Sequence, residues 1–137
     1  MIKSREEYKY YLKCDKEALD IKYKKPKIFG DEIWKFERLM RKYEWYQNCK
    51  SGILSKIIKE ILHFKYKRKS LLYGFSIPIN TFGPGLNIIH LGTILINGNV
   101  KVGKNCRINA GVVIRNTNGK DRWNTKYRRQ LLYWSRC

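Results

Sequence analysis

The 137-residue sequence predicts an α+β protein, with a helical N-terminal region followed by a parallel β-solenoid of six-residue repeats. Three observations predict this fold class. Residues 1–74 carry apolar side chains at spacings of three and four, which are typical of amphipathic helices. From residue 75 onwards glycine becomes frequent, which disfavours long helices. In the same part of the chain, apolar residues recur every six positions, as they do in stacked short strands.

The first two helices are predicted from their ends. In "SREE", Ser4 can accept a hydrogen bond at the helix N-terminus and Glu7 can return one, which is the capping-box arrangement. Pro26 and Gly30 then interrupt the pattern, and Asp31 is the predicted N-cap of the second helix. The apolar residues of this second helix lean to one side and are expected in the core: Ile33, Trp34, Phe36, Met40, Tyr43 and Tyr46.

A third helix is predicted after the Ser51-Gly52 break, and it should end near Gly74. Its expected inward face is Ile57, Ile58, Ile61, Leu62 and Phe64. We interpret the aromatic stripes of all three helices as core rather than as platforms for a ligand.

Two columns of apolar residues share the six-residue step. The first is Ile96, Val102, Ile108 and Ile114, and the second is Val100, Cys106 and Val112. Asn, Gly, Lys and Arg fill the positions between them, and Asn and Gly suit turns. In a parallel solenoid both columns point inward, because each coil buries its inner face only against the next coil.

The net charge of +19 has two interpretations. It indicates either binding to nucleic acid or an anionic surface, or helices with lysine-rich solvated faces. Most of the charge lies in the first seventy residues, and a further share lies in residues 120–137. The chain has neither an Arg/Gly-rich arm nor zinc-finger spacing, so nucleic acid is not the expected partner.

The four cysteines lie far apart, and His63 and His90 have no zinc-like spacing, so no metal site is expected. Ordinary reduced thiols fit a cytoplasmic protein. The charged start "MIKSREEYKY" is not typical of a signal peptide. No apolar run approaches the roughly 18 residues of a membrane span.

The stretch "PINTFGPGLNIIHLGTILINGNVKVGKNCRI" resembles the hexapeptide-repeat acyltransferases, and specifically their serine acetyltransferase-like branch. The opening "SREEYKYYLKCDKEAL" supports the likeness, which covers residues 1–120. The resemblance implies a left-handed β-helix with three hexads per coil, a homotrimer, and acetyl-CoA as co-substrate in a cleft between neighbouring solenoids. It divides the chain into a helical region (1–74), a partial left-handed β-helix (75–120) and a tail outside the family pattern (121–137).

The resemblance also implies the site residues. His90, in "IIHLGTILI" with Ile96 six residues later, matches the family's histidine. Its implied role is general base: it accepts the proton of a substrate hydroxyl, which attacks the thioester carbonyl of acetyl-CoA. Asn116 and Thr117, in "NTNGK", are the implied cofactor-binding residues. Without the resemblance, a histidine that fills a coil corner would be the simpler interpretation.

The chain departs from the family pattern next to this histidine. Typical members have an aspartate immediately before it, where this chain has Ile89, and residues 75–89 contain no acidic residue. The acceptor is therefore either serine, as in cysteine biosynthesis, or a sugar hydroxyl, as in polysaccharide biosynthesis. The alternative function is a non-catalytic basic module that binds nucleic acid or an anionic surface.

The repeat stops near Gly119. One set of codons for "RWNTKYRRQLLYWSRC", read one nucleotide later, encodes "GGIPNIGDNCYIGPG", which contains two further hexad-like steps, "IPNIGD" and "NCYIGP". We interpret residues 121–137 as a frameshift product, and so expect a truncated β-helix with impaired activity. The alternative is an amphipathic basic helix, since Tyr127, Leu131 and Trp134 have helical spacing. The DNA sequence of the locus distinguishes the two interpretations.

Overall fold

The structure is a computed structural model, and it describes residues 1–114. These residues form three helices followed by five short strands in two small sheets. The helices are α1 (Arg5–Ala18), α2 (Glu32–Cys49) and α3 (Ile53–Tyr73). The strands are β1 (Phe75–Ser76), β2 (Asn87–Ile88), β3 (Ile94–Ile96), β4 (Arg107–Ile108) and β5 (Val112–Ile114). Asn116, Thr117 and the 121–137 tail lie outside the described residues.

The helix ends follow the local signals in the sequence, with one exception. Ser4 Oγ accepts a hydrogen bond from the Glu7 amide at 3.1 Å, as predicted for an N-cap. Gly74 ends α3 in the left-handed conformation, with φ +75°. Asp31 occupies the predicted N-cap position of α2, and its carbonyl accepts from the Lys35 amide at 2.9 Å, but its side chain makes no capping hydrogen bond. Its carboxylate instead accepts hydrogen bonds from the Tyr23 hydroxyl and the Lys27 amide, because it closes the loop before the helix.

Helix α3 is rotated away from its predicted orientation. Leu62 is buried as expected and Ile58 is half-buried, but Ile57, Ile61 and Phe64 are exposed. The helix carries apolar residues on two faces, and contacts with α2 select the one that is buried. On that face Tyr66 stacks on Phe36 with ring centroids 5.3 Å apart.

The strands pair in parallel at a nearly constant step along the chain. β1 pairs with β3 and β3 with β5, with Phe75 opposite Ile94 and Ile94 opposite Val112. β2 pairs with β4, with Ile88 opposite Ile108, and a single bridge joins Phe82 to Val102. Each partner therefore lies 18 to 20 residues further along the chain. That step equals three hexads plus at most two residues. We call the residues from β1 to β2 the first layer and those from β3 to β4 the second layer.

Both predicted columns contribute to the core. Ile96, Ile108 and Val112 are buried, and the other four residues of the columns pack against the same cluster: Val100, Val102, Cys106 and Ile114. Burial raises the pKa of the Cys106 thiol to about 11, so it stays protonated at neutral pH. The cluster continues into the helices through Phe36, Met40 and Tyr66, so helices and strands share one core.

Candidate active site

His90 lies exposed on the corner between β2 and β3. The corner spans residues 89–93, between β2 and β3. The equivalent connection between their partner strands, β4 and β5, has only residues 109–111. The His90 corner is thus two residues longer than the segment stacked beside it. This extra length gives the corner room to stand out from the stacked layers, and it holds the two consecutive exposed residues His90 and Leu91.

Backbone hydrogen bonds fix both ends of the corner. The Ile89 amide donates to the Ile108 carbonyl at 3.0 Å, and the Gly92 amide donates to the Tyr73 carbonyl at 3.1 Å. Gly92 has φ +140°, and a Cβ there would lie 3.0 Å from the Ala110 Cβ. The corner therefore presents an exposed imidazole on a backbone that is held from two directions.

The surroundings of the two histidines differ. Within residues 1–114, no side chain forms a hydrogen bond with the His90 imidazole, and the residue before it is Ile89. His63 instead stacks on Tyr43, with ring centroids 5.7 Å apart and planes 14° from parallel. His63 is half-buried rather than a free surface residue, and its contacts are those of packing.

A cleft of about 550 Å³ adjoins the start of the corner. It lies between the segment after α1, the start of α2 and the strands β2 and β4, and Ile89 lines it. Its charged residues are Asp20, Asp31 and Arg107. Two carboxylates and a guanidinium can hold a small molecule that carries hydroxyl, ammonium or carboxylate groups.

A buried network of charged side chains supports the first layer of strands. Arg41 donates to both oxygens of Asp15, to Glu44 and to the carbonyls of Phe82 and Gly83, at 2.7 to 3.3 Å. The network is almost wholly shielded from solvent, with Arg41 fully buried. A buried charge needs partners of this kind, since desolvation without them is strongly unfavourable.

The carboxylates of this network bind backbone amides of the first layer. Asp15 accepts from the Gly85 and Leu86 amides at 2.9 Å, and Glu44 accepts from the Asn80 amide at 2.6 Å. On the other side of the same segment, Gly83, Asn87 and Ile89 donate to carbonyls of the following layer. The helix carboxylates thus occupy the place that a preceding layer of strand carbonyls would take.

Glu37 is a further member of this buried group, and its side chain is fully buried against β2. We call the four residues Asp15, Glu37, Arg41 and Glu44 the junction between the helices and the strands. Its Oε1 accepts from the Ile88 amide at 3.1 Å, and its Oε2 has no hydrogen-bond partner within residues 1–114. Burial, and then the charge of Asp15, raise the pKa of Glu37 well above its ordinary value. Both causes favour the neutral carboxylic acid over the carboxylate at this position beneath β2.

Sequence reasoning missed this junction, although a signal for it exists. Glu37, Arg41 and Glu44 stand four and three residues apart, in phase with the buried Met40 and Trp34. Charges of both signs on the apolar face of a helix indicate buried ion pairs. Asp15 gives no such signal, because its partners lie 26 to 71 residues away.

Within residues 1–114, no cluster of three or more His, Cys, Asp or Glu residues is placed to hold a metal ion. None of the helices in that range is both long and apolar enough to cross a bilayer. The predicted cofactor residues Asn116 and Thr117 lie outside the described range. No known protein family, curated protein or solved structure gives a significant match to the chain.

Proposed function

We propose that the chain is a hexapeptide-repeat O-acetyltransferase that moves an acetyl group from acetyl-CoA to a hydroxyl acceptor, with His90 as general base. The observation that carries the proposal is the His90 corner. It is exposed, two residues longer than its neighbour, and set between parallel strands that pair at a step of 18 to 20 residues. The resemblance of the surrounding sequence to the family adds the chemistry.

In the proposed reaction, an imidazole nitrogen of His90 accepts the proton of the acceptor hydroxyl as its oxygen attacks the thioester carbonyl. The C–S bond of the thioester breaks, the ester C–O bond forms, and CoA leaves as a thiol after taking back a proton. An exposed imidazole has the access that this role needs, and a fixed backbone limits its possible positions.

The acceptor is serine or a sugar, and the cleft next to Ile89 is its proposed location. Asp20, Asp31 and Arg107 could pair with the ammonium and carboxylate of serine, or share hydrogen bonds with sugar hydroxyls. The left-handed β-helix, the homotrimer and a cytoplasmic location belong to the same proposal.

The test is an assay of acetyl transfer by the full 137-residue chain. The reaction is monitored by the loss of the thioester absorbance of acetyl-CoA and by mass spectrometry of the acceptor. A panel of serine and simple sugars identifies the acceptor. His90→Ala should lower kcat/KM by about 10²- to 10⁴-fold, the usual contribution of a general base. The matched control is His63→Ala, which removes the other histidine and should keep the activity.

The reading frame is tested separately. If the 137-residue chain is inactive, the chain continued after Lys120 in the alternative frame is assayed in the same way. Activity there that is lost in His90→Ala supports both the family and the frameshift. Absence of transfer to every acceptor in both chains contradicts the proposal.

A second candidate is a non-catalytic basic module, favoured by the net charge of +19. Such a module would bind generic duplex DNA with an affinity that falls steeply as salt rises. Binding that is unchanged in His90→Ala, together with absence of acetyl transfer, would favour this candidate over the enzyme.

A further inference from the structure

The outer face of α3 carries a strip of exposed apolar side chains. Positions 53, 57, 61, 64 and 71 are separated by three, four or seven residues and so share one face. These side chains are 49% to 83% exposed, and with two neighbours they form what we call the apolar stripe: Ile53, Leu54, Ile57, Ile61, Phe64, Leu71 and Leu72. At 1.5 Å per residue the stripe is about 28 Å long.

Cations border the apolar stripe. Lys56, Lys65, Lys67 and Arg68 are exposed beside or within it, and Glu60 is the single acidic residue of α3. An apolar face bordered by lysines is typical of helices that lie in the interface of an anionic bilayer. Exposed apolar patches of this extent on a folded protein mark interaction surfaces.

A second element repeats the same chemistry. The loop between α1 and α2 exposes Ile28 by 87% and Phe29 by 91%, and we call this pair the loop tip. The loop also carries four exposed lysines, which are Lys22, Lys24, Lys25 and Lys27. The Asp31 carboxylate holds this loop through hydrogen bonds with the Tyr23 hydroxyl and the Lys27 amide, while the loop tip stays exposed.

Hydrogen bonds connect the loop tip to the end of α3. Lys35 Nζ donates to the Ile28 carbonyl at 2.7 Å and to Glu32 at 2.8 Å. Glu32 in turn accepts from the Tyr73 hydroxyl at 2.7 Å, in the last turn of α3. These bonds link the loop tip to the last turn of α3 through Tyr73, which is itself buried and lies outside the apolar stripe.

We propose that the apolar stripe and the loop tip dock this protein on the surface of an anionic phospholipid bilayer. Lipid headgroups neutralise the lysines while the acyl boundary receives the isoleucine, leucine and phenylalanine side chains. Nucleic acid would satisfy the cations but leave the aliphatic side chains in water. A second copy of the chain would bring lysine against lysine, which is unfavourable.

The test is co-sedimentation of the full chain with large vesicles. One set is phosphatidylcholine alone, and the other is an equal mixture of phosphatidylcholine and phosphatidylglycerol. We expect binding to the mixed vesicles that is about tenfold weaker on the neutral ones and weakened by added salt. Two variants, Ile57→Gln/Phe64→Gln and Ile28→Gln/Phe29→Gln, should each lower the partition coefficient on mixed vesicles by about tenfold or more.

The matched control is Leu91→Gln/Leu95→Gln, which removes two exposed leucines outside both elements and should bind as the unchanged chain does. All variants keep residues 115–137, so any contribution of that basic segment is equal in each. Since the substituted side chains are exposed, circular dichroism should show unchanged folding. Lack of binding to mixed vesicles, or binding that is insensitive to both apolar variants, overturns the proposal.

Sedimentation velocity of the same proteins tests whether a second copy of the chain, rather than a bilayer, covers the apolar stripe. If the chain without lipid forms an oligomer that Ile57→Gln/Phe64→Gln dissociates, a second copy covers the stripe and the bilayer proposal is wrong. A sedimentation coefficient that is the same in both proteins, together with apolar-dependent vesicle binding, supports it.

Discussion

The two sides of the helical region are built in opposite ways. Toward the strands, Arg41 and its carboxylate partners are buried in a cluster where apolar residues would be the ordinary choice. On the outside, the apolar stripe of α3 is exposed where charged residues would be ordinary. The difference shows that the buried charges have a structural role, since their carboxylates accept hydrogen bonds from the Asn80, Gly85 and Leu86 amides in the segment between β1 and β2.

The two sides should also differ in their roles, with the junction contributing to stability and the outer face to interaction. The junction should determine whether the helices and strands stay together, because unpaired buried charges are strongly destabilising. The outer face should matter little to stability, because its side chains are already in water. Four variants, ordered from the largest expected effect to the smallest, test this separation.

Arg41→Met should have the largest effect. It leaves Asp15 and Glu44 buried without their cation, and we expect a loss of about 3–5 kcal/mol in the free energy of unfolding. Urea denaturation followed by circular dichroism measures it. The control is Lys42→Met, one residue further on the same helix and exposed, with an expected change within about 0.5 kcal/mol. Equal effects at both positions would show that the junction does not hold the two regions together.

Gly83→Ala tests the contact between the first two layers. An added Cβ would lie 2.7 Å from the Gly103 carbonyl oxygen and 2.8 Å from its carbon, so backbone must move, at an expected cost of about 1–3 kcal/mol. Gly103→Ala is the reverse control, because a Cβ there meets nothing within 4 Å. The difference in urea midpoint between the two alanine variants measures the contact, and similar midpoints would contradict this stacking.

Glu37→Gln should change how stability depends on pH. The pKa of Glu37 is raised on folding, so its contribution is fully present below the unfolded value near 4.5 and is lost as pH rises toward the folded value. As the pH rises above 4.5, the unchanged chain should lose stability relative to Glu37→Gln, by about 1.4 kcal/mol for each unit of pKa difference.

Urea midpoints across this pH range measure the difference, and the exposed Glu17→Gln removes a similar charge as control. If the stability difference between the unchanged chain and Glu37→Gln stays constant across the range, this carboxyl is ionised in the folded state and the prediction is wrong.

Ile57→Gln should have the smallest effect on stability. Its side chain is 55% exposed, so we expect a change within about 0.5 kcal/mol. Leu62→Ala, further along the same helix and buried, should lower the free energy of unfolding by about 2–5 kcal/mol, measured by urea denaturation. A large loss in Ile57→Gln would mean that the stripe is packed in solution, and would remove the contrast between the two sides.

Local chemistry made much of the fold predictable. Ser4 and Gly74 mark helix ends that the sequence predicts, because each makes its hydrogen bonds with residues no more than four positions away. The six-residue columns predicted which strand residues reach the core, because a periodic pattern fixes side-chain direction without reference to distant partners. The left-handed β-helix remains a prediction, supported by parallel pairing at steps of 18 to 20 residues.

Contacts between distant residues were not predictable in the same way. The buried face of α3 depends on Phe36 of α2, so its apolar residues alone could not choose between two faces. Asp31 had the right residue type for an N-cap, but its partners in the preceding loop decided its role. For the candidate site, the sequence identified His90 as a candidate base, whereas the longer corner became visible only through the pairing of Ile88 with Ile108 and Ile94 with Val112.

The carboxylates that occupy the place of a preceding layer also have a consequence for the order of folding. A ribosome delivers the helices first, and α1 and α2 can pack before Phe75 emerges from it. Asp15, Glu37 and Glu44 would then be in position when the first strand segment emerges, and its amides would find acceptors without waiting for a later layer. The helical region would therefore serve as the template on which the first layer forms, and each later layer would be added to a completed edge.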